Sequence, residues 1–238
     1  MNVFIVYAHH EPTSFNGALL KIAQDSLTQA GHAVKVSDLY AMGFDPVSDR
    51  RNFVTVKDSV ILNQQLEEAY ASEHDGYAGE LKAEHAKLAW CDVLILQFPL
   101  WWLGMPAILK GWVDRVFSIG HAYGGGRWFD HGRLAGKRAM CVVTTGGSEP
   151  VFSDVGIYDS IETVLYPVHR GILGFCGFTV LSPFMAYGPA RLSAEQRRDI
   201  LADYSERLLN LDSAALIGNP KTEDYDGFIL KTATAKPA

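Results

Sequence analysis

The 238-residue chain has only three cysteines, Cys91, Cys141 and Cys176, and no CxxC pair. So sparse and odd a set excludes a disulfide framework. Two of the three fall in the apolar runs WCDVLIL and AMCVVTT, which predicts buried, reduced thiols. Basic residues are also scarce: 21 Lys and Arg face 27 Asp and Glu, a net charge of −6. That balance argues against a general nucleic-acid binder and against anchoring to an anionic membrane. No apolar run approaches the length of a membrane span. The start, MNVFIVYAHHEP, lacks the basic and small-residue pattern of a signal peptide, so a cytoplasmic protein is expected. HExxH and GxSxG are missing, and His9-His10 has no second ligand set, so no metal is expected. There is no internal repeat and no low-complexity tract.

What is present is apolar. Hydrophobic residues make up 48% and charged residues 20%, enough for a large core without staples. The length predicts one large domain, or one domain with an extension. NVFIVYA (2–8) reads as a strand apolar on both faces, the mark of a central parallel strand. Thr13, Ser14 and Asn16 can each cap a helix, and 18–30 carries helical spacing closed by Gly31. AVKVSDL (33–39) is a second strand. Residues 41–60 are irregular, and 61–90 form two helical pieces broken near Asp75–Gly76. DVLILQFP (92–99) is a third strand, Ala107–Phe117 a short helix, and 119–136 a Gly-rich aromatic loop. RAMCVVTT (138–145) is a fourth strand, 160–177 a helix interrupted by Pro167, and FTVLSPF (178–184) a fifth strand. Ser193 and Gln196 read as a capping box opening a helix to about Leu211. The alternation predicts an α/β protein, a doubly wound parallel five-stranded sheet with helices on both faces.

Such sheets bind ligands at the carboxyl ends of their central strands. The loops there read AHHEPTSFN (8–16), FPLWWLG (98–104) and TTGGSEP (144–150). The first has neither GxGxxG nor a Walker A match. It places Thr13, Ser14 and Asn16 at a helix start, which suits a phosphate; plain capping accounts for the same residues. Gly146 and Gly147 admit a planar ligand, or simply make a tight turn. Trp101 and Trp102 flank a flat ring, or pack into the core. Taken jointly, the three loops point to a flat, phosphorylated cofactor such as a flavin.

At these loops the chain resembles the flavodoxin-like NAD(P)H:quinone oxidoreductases, the DT-diaphorase family. The matching segments are AH-x-E-x-TSFN (8–16), SDLYAM-x-F-x-P (37–46), QFPL-x-W (97–102), PAILKGW-x-x-RVF (106–117), TTGGS (144–148) and GIL-x-FCGF (171–178). The resemblance implies a flavodoxin-like fold, FAD rather than FMN, NAD(P)H as co-substrate, and ping-pong two-electron reduction of quinones. It also implies a homodimer with sites at the subunit interface. On this basis the catalytic domain spans 1–211, and 212–238 form an extension near the partner.

Carried over by position, His9, Thr13, Ser14, Phe15 and Asn16 would hold the pyrophosphate and ribityl chain. Pro99, Leu100, Trp101, Trp102 and Leu103 would line the isoalloxazine, with Thr144, Thr145, Gly146 and Gly147 at its edge. Arg197 would reach the phosphates and Asp114 the adenine end. Asn63, Gln64 or Gln65 would contribute an amide from the other subunit. The substrate pocket would comprise Trp102, Tyr123, Gly125, Phe152, Tyr158 and Phe175. Two departures stand out. The family's Tyr and His after TTGGS are Phe152 and Tyr158 here, so Tyr158 and the Gly146 and Gly147 amides are expected to carry catalysis. Gly125 replaces a family aromatic and opens the pocket. His121 or His131 is an alternative proton source. Arg50–Arg51 suits a 2′-phosphate or mere solvation. The segment HAYGGGRW (121–128) also resembles ancillary proteins of potassium efflux systems. That keeps a regulatory flavoprotein open beside the enzyme, as a flavodoxin-type electron carrier is also open.

Overall fold

The computed structural model describes residues 1–231. Its sheet is built on strands β1 (Asn2–Tyr7), β2 (Ala33–Asp38), β3 (Val93–Pro99) and β4 (Arg138–Thr145), in the order β2-β1-β3-β4, all parallel. Side chains alternate in these strands, and in β1, β3 and β4 both faces are buried, whereas the edge strand β2 leaves Ala33 and Lys35 exposed. Val3, Ile5, Val93, Ile95, Met140 and Val142 enter one core; Phe4, Leu94, Leu96, Cys141 and Val143 enter the other. That is why the strands read as continuous apolar runs.

The first core is covered by α1 (Phe15–Gln29) and α6 (Ala194–Leu209), through Leu19, Ala23, Leu27, Tyr204 and Leu208. The second is covered by α3 (Gly79–Trp90), α4 (Ala107–Val116) and α5 (Ile161–Tyr166), through Leu81, Leu88, Leu109, Trp112 and Leu165. Between β2 and α3 lies α2 (Gln64–Glu73). The irregular segment before it is held by fully buried Arg115, which donates to Asn52 Oδ1 (2.7 Å) and the Asp45 carbonyl (2.6 Å) and pairs with Glu80.

The fifth position of the sheet differs in detail from the expected strand. It is divided into β5 (Thr179–Leu181) and β6 (Phe184–Tyr187), and both pair with β4. Ser182-Pro183 interrupts the ladder because proline has no amide proton to donate. The chain also adds an antiparallel edge strand, β7 (Leu216–Ile217), against β5, and a small hairpin of β8 (Tyr225–Asp226) with β9 (Ile229–Leu230). The part of the extension from 212 to 231 therefore packs partly on the same sheet; 232–238 lie outside the described residues.

Pro167 does not end its helix. Pro167–Gly174 continues as a π-helix, the register shift that absorbs the missing amide. The three cysteines are buried and free. Among the described residues, no helix is long and apolar enough to cross a membrane.

Candidate active site

The carboxyl ends of β1, β3 and β4 meet at one edge. The Leu100 amide donates to the Thr144 carbonyl (2.8 Å), which closes the β3 and β4 ends together. A cleft of about 690 Å³ opens there. It is lined by His9, Thr13, Ser14, Phe15, Asn16 and Thr144, and on the opposite side by Pro189, Ala190, Arg197 and Arg198.

The β1–α1 loop is self-braced. Ser14 caps α1 by accepting from the Gly17 amide (3.2 Å). Glu11 accepts from the Thr13 amide (2.8 Å) and hydroxyl (2.6 Å). A Cβ on Gly17 would stand 1.9 Å from the Pro12 carbonyl oxygen, so only glycine lets the loop fold back on the helix. His9 Nδ1 accepts from the Glu11 amide (3.0 Å). Burial, then the charge of His10, lowers its pKa. A neutral imidazole whose Nδ1 accepts must carry its proton on Nε2, so His9 presents a donor. Beneath the loop, Asn16 Nδ2 donates to Thr144 Oγ1 (2.6 Å) and Gln97 Nε2 to the Asn16 carbonyl (2.6 Å). Thr145 Oγ1 donates to the Gly147 carbonyl (2.7 Å), so both threonine hydroxyls hold the loops in place.

The β3–α4 loop decides between the two roles open to its tryptophans. Trp101 is 37% exposed and Trp102 entirely so, which rules out core packing for Trp102. Trp102 and Leu103 both have positive φ (53° and 55°) in a turn closed by reciprocal Trp101–Gly104 backbone bonds of 3.0 Å. Left-handed backbone at two successive non-glycine residues costs about 1–3 kcal/mol each, and such strain gathers at functional sites. After β4, Gly146 has open space around it, while Phe152 packs on Gly147 and meets both Tyr158 (5.3 Å) and Tyr187 (5.9 Å) at a tilt of 32°. Tyr158 is half-exposed beside it.

The other expected residues fall elsewhere. Gln64, Gln65, Asp114, Tyr123 and Phe175 line a second depression of about 370 Å³, which shares no residue with the first. Asn63 caps α2 by accepting from the Leu66 amide (3.2 Å). Gly125 lies in the 119–126 loop, which has positive φ at Gly124, Gly125 and Gly126.

Neither histidine considered as a proton source lines either pocket. His121 stacks on buried His85 (3.6 Å) in a cleft with Tyr77 and Lys82, and burial, then Arg133, lowers its pKa. His131 is exposed beside Asp130. The pair Arg50–Arg51 is spent on its own loop: Arg51 binds Asp45 and Asp49, and Arg50 the Asp58 carbonyl.

Sequence reasoning missed Pro189, Ala190 and Arg198. It ended the last strand at 184, whereas β6 runs to Tyr187 and delivers the 188–191 turn to the same edge. Applied to that strand end, the edge rule finds Pro189 and Ala190; Arg198 lies in the first turns of α6, next to Arg197.

Comparison with known proteins gives a consistent picture. The model of a family described as having a flavodoxin-like fold matches residues 1–211. NAD(P)H dehydrogenase [quinone] 1 of Cavia porcellus is 40% identical over 233 residues, 95% of this chain and 85% of that protein. Ribosyldihydronicotinamide dehydrogenase [quinone] of Homo sapiens is 41% identical over 207 residues, 87% of this chain and 90% of that protein. A solved structure from Klebsiella pneumoniae, provisionally described as a quinone reductase, superimposes with a TM-score of 0.93 at 38% identity, covering 97% of this chain and 94% of that one.

Proposed function

This chain belongs to the flavodoxin-like family of NAD(P)H:quinone dehydrogenases, and we propose from it that the protein is an NAD(P)H-dependent flavoprotein reducing quinones by two electrons. The observation that carries the cofactor reading is the lining of the larger cleft. In a chain of net charge −6, that cleft holds two arginines, a helix start and the His9 donor, and no carboxylate. Such a donor set fits a phosphorylated anion. Two arginines on one side and the His9–Asn16 loop on the other favour the pyrophosphate of FAD over the single phosphate of FMN.

A flavin held there would supply the redox chemistry, the two-electron exchange between nicotinamide and quinone. The chain supplies position and charge. Arg197, Arg198, Ser14 and the His9 Nε2 proton hold the phosphates, while Thr13, its amide and hydroxyl both donated to Glu11, braces the loop that presents them. Asn16 and the loops braced by Thr144 and Thr145 hold the sugar chain. Pro99, Leu100, Trp101, Trp102 and Leu103 flank the ring. The Gly146 and Gly147 amides and the Tyr158 hydroxyl donate where negative charge gathers, as an oxyanion hole does. Phe152 has no proton to give and acts by packing.

The second depression, with Gln64, Asp114, Tyr123 and Phe175, faces the cleft of a second copy in a homodimer; Asn63 and Gly125 shape its rim, and 212–231 lie near the partner. Val54, Val56, Val60, Ile61 and Leu66, in the segment before α2 and in its first turn, are all more than half exposed, apolar side chains that association would cover.

The test is a purified protein. It should be yellow, release FAD by mass identification, run as a dimer in light scattering, and oxidise NAD(P)H steadily with benzoquinone. A colourless protein that no flavin reconstitutes would overturn the reading. Flavin without turnover would favour the carrier or the regulatory reading.

A further inference from the structure

The smaller depression contains a buried acid that the proposed reaction has not used. Glu68, on α2, is 3% exposed, and both of its oxygens are engaged. Oε1 accepts from Gln64 Nε2 (2.9 Å); Oε2 accepts from the Ile119 amide (2.9 Å) and from the Tyr123 hydroxyl (3.0 Å). The same turn is tied a second time, because the Tyr77 hydroxyl lies within hydrogen-bond distance of the Glu68 carbonyl (3.1 Å) and the Ile119 carbonyl (2.9 Å). Glu68 thus holds the 119–123 turn by its side chain, and the Tyr77 hydroxyl, with one hydrogen to give, lies between the two backbone carbonyls.

We propose that Glu68 is a positioning residue for the acceptor wall: it takes the one proton Tyr123 can share, so that Tyr123 meets the acceptor as a ring and not as a hydrogen-bond donor. The proposal rests on the reading of Tyr123 and Phe175 as that wall. A hydroxyl has a single hydrogen, and a bond to a buried carboxylate is among the stronger ones it can make. Lending the hydrogen to a carbonyl would leave a buried charge short of a donor, which costs more than the new bond returns. Burial and the neighbouring Glu68 both push the Tyr123 phenol up, in keeping with a proton held fast. Phe175 stands 6.4 Å from the Tyr123 ring, and Ile172 lines the same depression. The wall then selects flat, apolar faces and is indifferent to where a carbonyl falls, so the acceptor class is flat electron-poor rings in general.

The experiment uses flavin-loaded protein with tyrosine labelled by ¹³C at Cζ, the Tyr123 signal being assigned by its loss in Y123F. In the wild type Tyr123 should stay protonated through the ordinary phenol range near pH ~10, and in E68Q its titration should move down into that range. KM and kcat for benzoquinone are measured on wild type, E68Q, Y123F and the double variant. E68Q should raise KM about fivefold while kcat moves less than twofold. The two substitutions should be non-additive in KM, since the first acts through the second. A Tyr123 signal titrating near ~10 in the wild type, or additive effects on KM, would overturn the proposal. If E68Q does not fold, E68D takes its place in the same titration and kinetic comparison, since burial alone also raises the wild-type phenol. If no variant reduces benzoquinone, the quinone reading fails while the titration still reports on the Glu68–Tyr123 bond.

Discussion

One bond sets the chemistry of His9. Because Nδ1 is filled by the Glu11 amide, the imidazole is a neutral donor and not a base. After β4, Phe152 has no polar atom and Tyr158 supplies the half-exposed hydroxyl beside it. If Tyr158 donates to the developing charge, Tyr158→Phe should slow flavin reduction by NAD(P)H in stopped flow by about 10²-fold, the cost of one such donor. Flavin content should be unchanged, because the ring packing on Phe152 survives. An unaltered reduction rate would assign the whole effect to the Gly146 and Gly147 amides. The phosphate end makes a separate prediction. Arg198→Ala removes one charge-assisted bond, typically about 1.5–3 kcal/mol, and should weaken FAD binding by ten- to a hundredfold in a fluorescence titration, with little change in kcat once the protein is saturated.

At the scale of elements, most of the fold was legible because burial on both faces leaves a plain trace. β1, β3 and β4 are runs in which every other side chain enters a different core, so continuous apolar stretches and Gly-Gly or Pro stops marked them to within about a residue. What was not legible had competing local signals. Pro167 predicts a break, yet packing of Leu165, Val168 and Leu173 into the core carries the chain through as a π-helix. The β7 edge is two residues long and has no periodicity to read. The strain at Trp102 and Leu103 was also invisible, since tertiary contacts and not residue type impose it.

That turn gives an element-scale prediction. Leu103→Gly removes the steric cost of φ +55° and should raise stability by about 1 kcal/mol after the entropy of glycine is subtracted. The same change should loosen the Trp102 shelf and raise KM for the acceptor. A melting temperature that falls would show that the turn is not strained in solution.

The whole molecule carries two buried imidazoles that its proposed chemistry does not need. His85 is pushed down to about 3 by burial and by His121, and His169 to about 4 by burial. In the unfolded chain both titrate near ~6.5. The native state therefore holds them neutral, and below pH ~6.5 the unfolded state binds more protons than the native one. Stability from these groups is fully present above that pH and is lost as the pH falls toward their native values. Each contributes a slope of up to about 1.4 kcal/mol per pH unit, so about 2 kcal/mol per group should disappear between pH ~6.5 and ~5. Carboxylates have barely begun to protonate there, so the urea midpoint should be flat above pH ~7 and already falling at pH ~5.5. His169→Gln should reduce that slope whatever it does to the midpoint itself, because glutamine does not titrate. A midpoint that does not move between pH ~7 and ~5 would mean that both rings find solvent or a partner in the native state.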